Sequence, residues 1–420
     1  MKKLVMVFVF LLVTGCLTLA TISHAFFVGF GSAGGVEQVI KKGQDEGKIP
    51  KVPDTGETTP AGPIQHGAEV IWQKAWNGGG NDFGRGIAID DTGNVYVIGV
   101  FNADYLTIKY NSNGDIVWQK AWNGGKDDLG YGIAVDDTGN VYVTGCSSNG
   151  SNWDYLTIKY NSNGDTIIWQ KRWDGGVGND EAYGIVVDDT GNVYVTGYSY
   201  NGTNNDFMTI KYNSSGDTIW QKKYSSGNDE KSNDIAVDDA GNVYVTGYSS
   251  NGVNWDCLTI KYNSNGDIVW QKRWDGGSDD VGNGIAVDSS GNVYVTGNSF
   301  NGANDDCLTI KYNSNGDIVW QKRWDGGSYD YGNGIAVDSS GNVYVTGQSW
   351  NVGNDYDYLT IKYNSNGNTI WQKVWNGGFT DRAYGIAVGR APGGLGNVYV
   401  TGDSLNGANY DYLTIKYRQY

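Results

Sequence analysis

The chain has 420 residues, of which 64 are glycine and only 5 proline, with 18% charged and 13% aromatic side chains and a formal net charge of −16. Such an aromatic content excludes a disordered chain, the scarcity of proline excludes a collagen or a proline-rich linker protein, and the negative charge argues against a nucleic-acid partner held through its phosphates. Abundant Gly, Asn, Tyr, Trp and Val with few long helix formers point to an all-β protein.

At the N-terminus, Met1-Lys2-Lys3 is a basic flank before the apolar run Leu4–Ile22, the pattern of an export signal. Two processing sites compete. Val13-Thr14-Gly15-Cys16 resembles the lipobox of bacterial lipoproteins, with Cys16 the residue to be lipidated, and Ser23-His24-Ala25 has the small residues that suit ordinary signal peptidase after Ala25. The run is also long enough to remain as a membrane anchor. All three alternatives place the rest of the chain outside the cytoplasm, at the cell surface, in the periplasm or in the extracellular space. Residues 26–68 hold Pro50, Pro53, Pro60 and Pro63 beside a glycine-rich stretch and read as a flexible spacer, with a short helix over 35–48 as the one element expected in it.

From residue 69 to 420 the chain repeats. The Trp of a WQK motif falls at Trp72, Trp118, Trp169, Trp220, Trp270, Trp320 and Trp371, spacings of 46 to 51 residues, and GNVYV and LTIKY motifs recur with it seven times. Each unit holds four β signals, in the second unit 132–135, 141–145, 155–160 and 166–173. Leu156, Ile158 and Tyr160 alternate with Thr157 and Lys159, the period of a strand. Asp136-Asp137-Thr138-Gly139-Asn140 and Asn161-Ser162-Asn163-Gly164-Asp165 supply tight hairpin turns. Four antiparallel strands per unit, repeated radially, make a β-propeller of seven blades. The phase of the repeat is offset: residues 70–76 match the last strand of a unit, while the chain ends on the third. Strand 70–76 is therefore expected to complete the last blade and close the ring.

The core of each unit, as in Asp280-Val-Gly-Asn-Gly-Ile-Ala-Val-Asp-Ser-Ser-Gly-Asn-Val-Tyr-Val-Thr-Gly297, resembles the SBBP (seven-bladed beta-propeller) repeat family of bacterial and archaeal proteins. That resemblance covers 69–420 and implies an exported or cell-surface propeller. The Gly114 to Trp118 spacing is similar to the tryptophan-docking motif of quinoprotein propellers, but Tyr110 stands where that motif has Asp, so a quinone cofactor is not implied.

The only histidines, His24 and His66, lie outside the repeats, which removes a histidine base, triad or metal ligand from the folded domain. Cys257 and Cys307 replace a Tyr or Phe of the other units and read as buried apolar residues, Cys146 stands alone, and no disulfide framework is implied. The Asn-Ser-Asn-Gly-Asp turns lack the downstream Glu of a calcium loop. No cofactor and no metal are expected.

Carboxylates recur in three sets. Asp90, Asp136, Asp188, Asp238, Asp288 and Asp338 sit in the first hairpin turns and read as turn caps. Asp82, Asp128, Asp180, Asp280, Asp330 and Asp381 precede the innermost strand, and Asp104, Asp154, Asp206, Asp256, Asp306, Asp357 and Asp411 precede the third strand. The last two sets share one face, as loop-fixing acceptors or as an acidic surface for a cation or sugar hydroxyls. The segments before the third strand carry Trp153, Tyr200, Trp255, Phe300, Trp350 and Tyr410 among Asn and Gly. With Asp154, Asp206, Asp256 and Asp306 they form the candidate ligand face, since aromatics beside amides and carboxylates suit sugar stacking or a protein partner. One blade departs from the rest: in residues 225–234, Glu230, Lys231 and Asp234 form an asymmetric ionisable cluster near the expected channel mouth, with Asp234 where other units have Gly. An insertion lengthens the first turn of the last blade at 389–396.

These features point to an exported, non-catalytic binding or scaffold propeller, carbohydrate-binding through the aromatics. The alternatives are a secreted hydrolase or lyase built on the divergent blade and a purely architectural surface component. The partner is a polysaccharide or a cell-envelope protein, the membrane is met only through the N-terminal signal or lipid, and the chain is expected to be a monomer.

Overall fold

The computed structural model describes residues 67–351, 353, 355–389 and 396–419. The export signal with Cys16, the spacer up to residue 66, its expected helix and most of the 389–396 insertion lie outside the described residues.

The described chain is 28 strands in seven four-stranded antiparallel sheets. After β1 (Ala68–Trp76), the first blade is β2 (Asp82–Ile89), β3 (Val95–Phe101), β4 (Asp104–Tyr110) and β5 (Ile116–Trp122), in that order across the sheet. We call these positions A to D. The second blade follows as β6 (Asp128–Val135), β7 (Val141–Ser148), β8 (Trp153–Tyr160) and β9 (Ile167–Trp173), and four further blades repeat the order. The seventh has A, B and C strands at Asp381–Val388, Val398–Leu405 and Tyr410–Gln419. Its D strand is β1, paired antiparallel with Tyr410–Gln419 from Ala68↔Gln419 to Trp76↔Tyr412. The ring closes as the offset repeat requires, and each A strand packs against the A strands of both neighbouring blades.

The strand period explains the core. In the second blade, Tyr142 and Tyr155 face the third blade and pack with Val193, Val195, Met208, Ile210 and Tyr212. The intervening Val141, Val143, Leu156 and Ile158 face the first blade and pack with Tyr96, Ile98 and Tyr105. Both faces of every B and C strand are thus apolar and buried, and seven such clusters run around the ring. The D-strand tryptophans lace blade to blade. Trp169 Nε1 donates to Ser214 O of the next blade at 3.1 Å, and Trp173 Nε1 to Gln221 Oε1 at 3.1 Å. The same bonds cross the closure, with Trp375 Nε1 on Gln73 Oε1 and Trp72 Nε1 on Ser112 O, both at 3.2 Å. Cys146, Cys257 and Cys307 are buried and not joined in disulfides.

The A and B strands are longer than the sequence signals. The A strand of the second blade begins at Asp128 rather than 132, because a bulge at Tyr131, between Gly130 and Gly132, interrupts its alternation. Gly132 is required there: a Cβ would lie 2.7 Å from Tyr183 O of the next A strand. The B–C hairpin also extends further, pairing Ser148 with Trp153.

Deleting residues 68–76 should bare the edge of strand Tyr410–Gln419 and strip Trp72 and Trp76 from the junction of the last and first blades. That costs about 3 kcal/mol or more on the scale of lost aromatic burial. Calorimetry of the truncated chain checks this, and an unchanged Tm would show that the ring does not depend on β1.

Candidate functional site

The two ends of the ring differ in chemistry. At the A–B turns the fold spends its carboxylates on itself. Asp136 Oδ1 accepts the Thr138 and Asn140 N–H groups at 3.0 and 2.8 Å, and Oδ2 accepts the Asn140 amide and the Tyr142 hydroxyl at 2.9 and 2.8 Å. Burial would raise these carboxyls, but the hydrogen bonds hold Asp90, Asp136, Asp188 and Asp288 below the usual value. In the seventh blade Gly389 takes the place of Asp, through a bond to Asn397 O.

At the opposite end the C-strand aspartates take donors that change with the repeat, and Asp206, Asp357 and Asp411 each keep a buried Oδ1 without a hydrogen bond among the described residues. Asp154, Asp206, Asp256 and Asp306 are buried, and each accepts from an Asn in its own B–C hairpin: Asn149, Asn201, Asn251 and Asn301. The second donor comes from the D strand. It is Arg172 on Asp154 at 2.7 Å, Arg273 on Asp256 at 2.6 Å, Arg323 on Asp306 at 3.3 Å and Lys223 on Asp206. Where the D strand has Ala121 instead of a cation, Asn123 donates to Asp104 at 3.1 Å. Each Arg is followed two residues later by Asp (174, 275, 325), whereas Ala75, Ala121 and Val374 are followed by Asn (77, 123, 376). Arginine and extra carboxylate enter together, while Lys223 is followed by Ser225. The carboxylate oxygens of Asp154, Asp174 and Asp180 lie within 4.8 Å of one another, as do the two equivalent triads, a spacing that could hold a cation, and the Arg supplies positive charge to each.

The A-strand aspartates accept a backbone N–H, as Asp128 does from Gly124 at 2.6 Å. Burial, against these bonds, pushes Asp180 and Asp330 up to about 6 and Asp381 to about 7. Glu230 proves to belong to this set: it pairs with Ser249 as Asp128 pairs with Ser147, and it accepts from Ser226 and Ser249. The sequence frame obscured this because a Glu stands in an Asp position. Asp234 occupies the Gly position, and its carboxylate takes the N–H groups of Ile235 at 2.8 Å and, across the blade boundary, Ile285 at 2.9 Å. Burial raises it to about 7. Lys231 lies 4.1 Å over the Tyr198 ring. Glu230, Lys231 and Asp234 therefore engage three different sets of partners.

The aromatics of the candidate ligand face are all half-buried and occupy two positions, not one. Tyr200, Phe300 and Trp350 end B strands, while Trp153, Trp255 and Tyr410 begin C strands. The main chain of the latter group is held by the next blade's approach loop, through Trp153 N on Asn179 Oδ1, Trp255 N on Asp279 Oδ1 and Tyr410 N on Asn81 Oδ1. Trp255 packs on Tyr248 at 4.9 Å between centroids, and Tyr410 on Phe83 at 5.6 Å.

The bulge residue of each A strand reaches its counterpart in a neighbouring blade, so these side chains ring the axis. Asn233, Asn283 and Asn333 donate to the carbonyls of Gly282, Gly332 and Ala383 at 2.9, 2.9 and 2.7 Å. Tyr131 meets Tyr183 edge to face at 5.1 Å, and Arg85 lies 4.3 Å over Tyr384. One side of the ring is amide, the other phenol and guanidinium. The divergent blade is consequently not the one asymmetric ionisable cluster at the mouth. At the closure, Arg382 grips the buried Asp403 through Nε at 3.0 Å and Nη2 at 3.3 Å and stacks on Tyr410 at 4.7 Å, beside Arg85. A third group sits between the fifth and sixth blades, where Tyr331 and Asn298 both donate to Asp305 at 3.2 Å. Sequence inspection passed over these residues because A strand and bulge look like a glycine-rich loop. The available signal was that Arg85 interrupts a position filled in the other six units by Tyr or Asn.

Residues 123–152, 224–252, 275–302 and 325–356 match the SBBP beta-propeller repeat. No curated protein sequence shows significant similarity to the chain. Among solved structures it is similar to the WD40 domain of Neurospora crassa Pan2, at 10% identity over 84% of this chain and 96% of that one, with a TM-score of 0.56. It is also similar to Sqt1 from Chaetomium thermophilum, at 11% identity over 81% and 87% of the two chains, TM-score 0.47. A second Sqt1 structure, bound to the N-terminus of the ribosomal protein L10, aligns at 9% identity over 82% and 98%, TM-score 0.45. At these identities the likeness is one of fold.

Two outcomes follow from this electrostatic design. Asp180, Asp234, Asp330 and Asp381 hold protons when folded at a pH where the unfolded chain, with carboxyls near 4, has lost them. Stability therefore falls as pH rises through about 4 to 7. The turn aspartates act in the opposite sense, and only below about pH 4. The Tm should be higher at about pH 5 than at about pH 8, and Asp381→Asn should flatten the slope; a Tm that rises with pH over this range contradicts the assignment. Separately, Arg273→Ala should cost about 1–3 kcal/mol by stripping a donor from buried Asp256. Adding Asp275→Asn, which recreates the Ala121–Asn123 repeat, should recover part of that loss. Denaturant melts of the single and double variants measure the coupling.

Proposed function

We propose that this chain, a seven-bladed propeller carrying the SBBP repeat, is an exported binding module whose working surface is the end of the ring that holds the B–C hairpins and the channel mouth. One observation carries the reading: difference between blades is concentrated at that end. Apart from the insertion at 389–396, the A–B turns and C–D turns repeat with little change and are consumed by internal hydrogen bonds such as Asp136 to Tyr142. The A-strand positions facing the mouth instead run through Phe83, Leu129, Glu181, Lys231, Val281, Tyr331 and Arg382, and the bulges through Arg85, Tyr131, Tyr183, Asn233, Asn283, Asn333 and Tyr384. A scaffold that needs only to pack has no physical reason to differ at one end.

The chemistry of that end suits a saccharide. Half-buried aromatic rings offer stacking faces, while Asn amides and Tyr hydroxyls beside them offer donors and acceptors for sugar hydroxyls. Trp153, Trp255 and Tyr410, fixed through their main chain to the next blade, are the rings best placed to present a rigid face. The basic flank and apolar run at 1–22 support delivery outside the cytoplasm, where a polysaccharide ligand would be met.

Binding of the full chain to a panel of bacterial and plant polysaccharides, read by affinity electrophoresis and thermal shift, tests the reading. Trp255→Ala should weaken a saturable hit about tenfold, the scale of one lost aromatic contact, with little change in Tm. A blank across the panel would turn the reading towards a protein partner of the cell envelope.

A further inference from the structure

We propose that the mouth of the channel at the closure, between the seventh and first blades, is a receptor for the carboxylate of an acidic saccharide, a uronate, with Arg85 as the group that binds it. The inference rests on the saccharide reading above and names the chemical class of ligand.

The two guanidinium groups there differ in what already holds them. Arg382 is committed: two hydrogen bonds join it to the buried Asp403, and its plane is stacked on Tyr410. Arg85 is different. Its guanidinium is positioned by stacking on Tyr384 at 4.3 Å and lies 5.4 Å from the Phe83 ring, yet its Nε is buried and makes no hydrogen bond among the described residues. A buried guanidinium donor left unmatched is costly, and a guanidinium is the side chain whose planar fork matches a carboxylate. Arg85 and Arg382 both face one carboxylate, Asp403, and only Arg382 is hydrogen-bonded to it.

The surroundings fit a sugar acid rather than a bare anion. Phe83, Tyr384 and Tyr410 wall the junction with rings, Phe83 and Tyr410 lying 5.6 Å apart between centroids. Around the axis the Tyr131–Tyr183 pair and the Asn233–Asn333 ladder provide hydroxyl and amide groups. None of the other six bulge positions carries a cation. Position is also decisive: the site exists only where the last blade meets the first, so it requires the ring closed by β1.

Calorimetric titration of the full chain with an oligogalacturonate and with its neutral methyl ester tests the assignment, using the wild type, Arg85→Gln and Arg85→Lys. The wild type should bind the acid at least about tenfold more tightly than the ester, the scale of a charge-assisted hydrogen-bonded pair. Arg85→Gln should abolish that preference, and Arg85→Lys, which keeps the charge without the planar fork, should restore only part of it. Far-ultraviolet dichroism and the Tm establish that the variants are folded, and Arg85→Lys carries the test if Arg85→Gln does not fold. Equal binding of acid and ester, unaffected by either variant, overturns this assignment and leaves the saccharide reading standing. Binding of neither oligosaccharide overturns this assignment, and with a blank across the polysaccharide panel it overturns the saccharide reading as well.

Discussion

No blade of this protein can stand alone, because each is apolar on both faces. Tyr142 and Tyr155 look one way and Val141, Val143, Leu156 and Ile158 the other, and a sheet with two apolar faces is stable only between two neighbours. Closure of the ring follows as a necessity: a linear stack would leave one apolar face bare at each end. Carrying the last D strand at the front of the chain solves this without an additional domain. It joins the two ends by strand pairing and by the tryptophan lacing of Trp72, Trp76 and Trp375. The buried Gln419, which accepts from Lys362 at 2.6 Å and from Tyr344 at 3.1 Å, ties the final residues into the sixth blade.

The same constraint divides the molecule's chemistry. Positions that touch a neighbouring blade are repeated because each must fit the same hole, and the polar groups near them are used up locally. The Asp–Tyr tie at the first six A–B turns anchors a hydroxyl that would otherwise be buried without a partner. The C-strand aspartates show how strictly charge is balanced in the frame. An arginine on the D strand is accompanied by an aspartate two residues on, and an alanine or valine by an asparagine, so each repeat keeps a donor for its buried carboxylate by one of two routes. Freedom to differ is left to the bulges and to the strand ends at the mouth, where a side chain meets the axis or solvent rather than an invariant neighbour.

Closure also creates a place unlike any other in the ring. Phe83 and Arg85 belong to the first unit and Arg382, Tyr384, Asp403 and Tyr410 to the last, and only the joining of the chain's ends makes them one cluster. Glu230 illustrates the converse. It looks divergent along the chain, yet in the sheet it does the work of an aspartate, taking a backbone N–H of its approach loop and facing the same serine.

The seven-fold repeat, the number of strands, the turn types and the offset that sends 70–76 to the last blade were all legible in the sequence, because period-two alternation and Gly-Asn-Asp turns are local properties of the chain. The caps at Asp90 and its counterparts were legible for the same reason. The mouth was not. The A strands start four residues earlier than their apolar signal, since the bulge at Tyr131 and its equivalents breaks the alternation that marks a strand. The hairpin aromatics that looked equivalent along the chain fall on two strands. The donors that satisfy Asp154 and its counterparts come partly from the following D strand, 17 or 18 residues on, and the Arg85 cluster joins residues about 300 positions apart. Local pattern determined the blade, because hydrogen-bonded turns and alternating faces depend on near neighbours. Tertiary structure alone decided the mouth, because its members become neighbours only when the ring is closed.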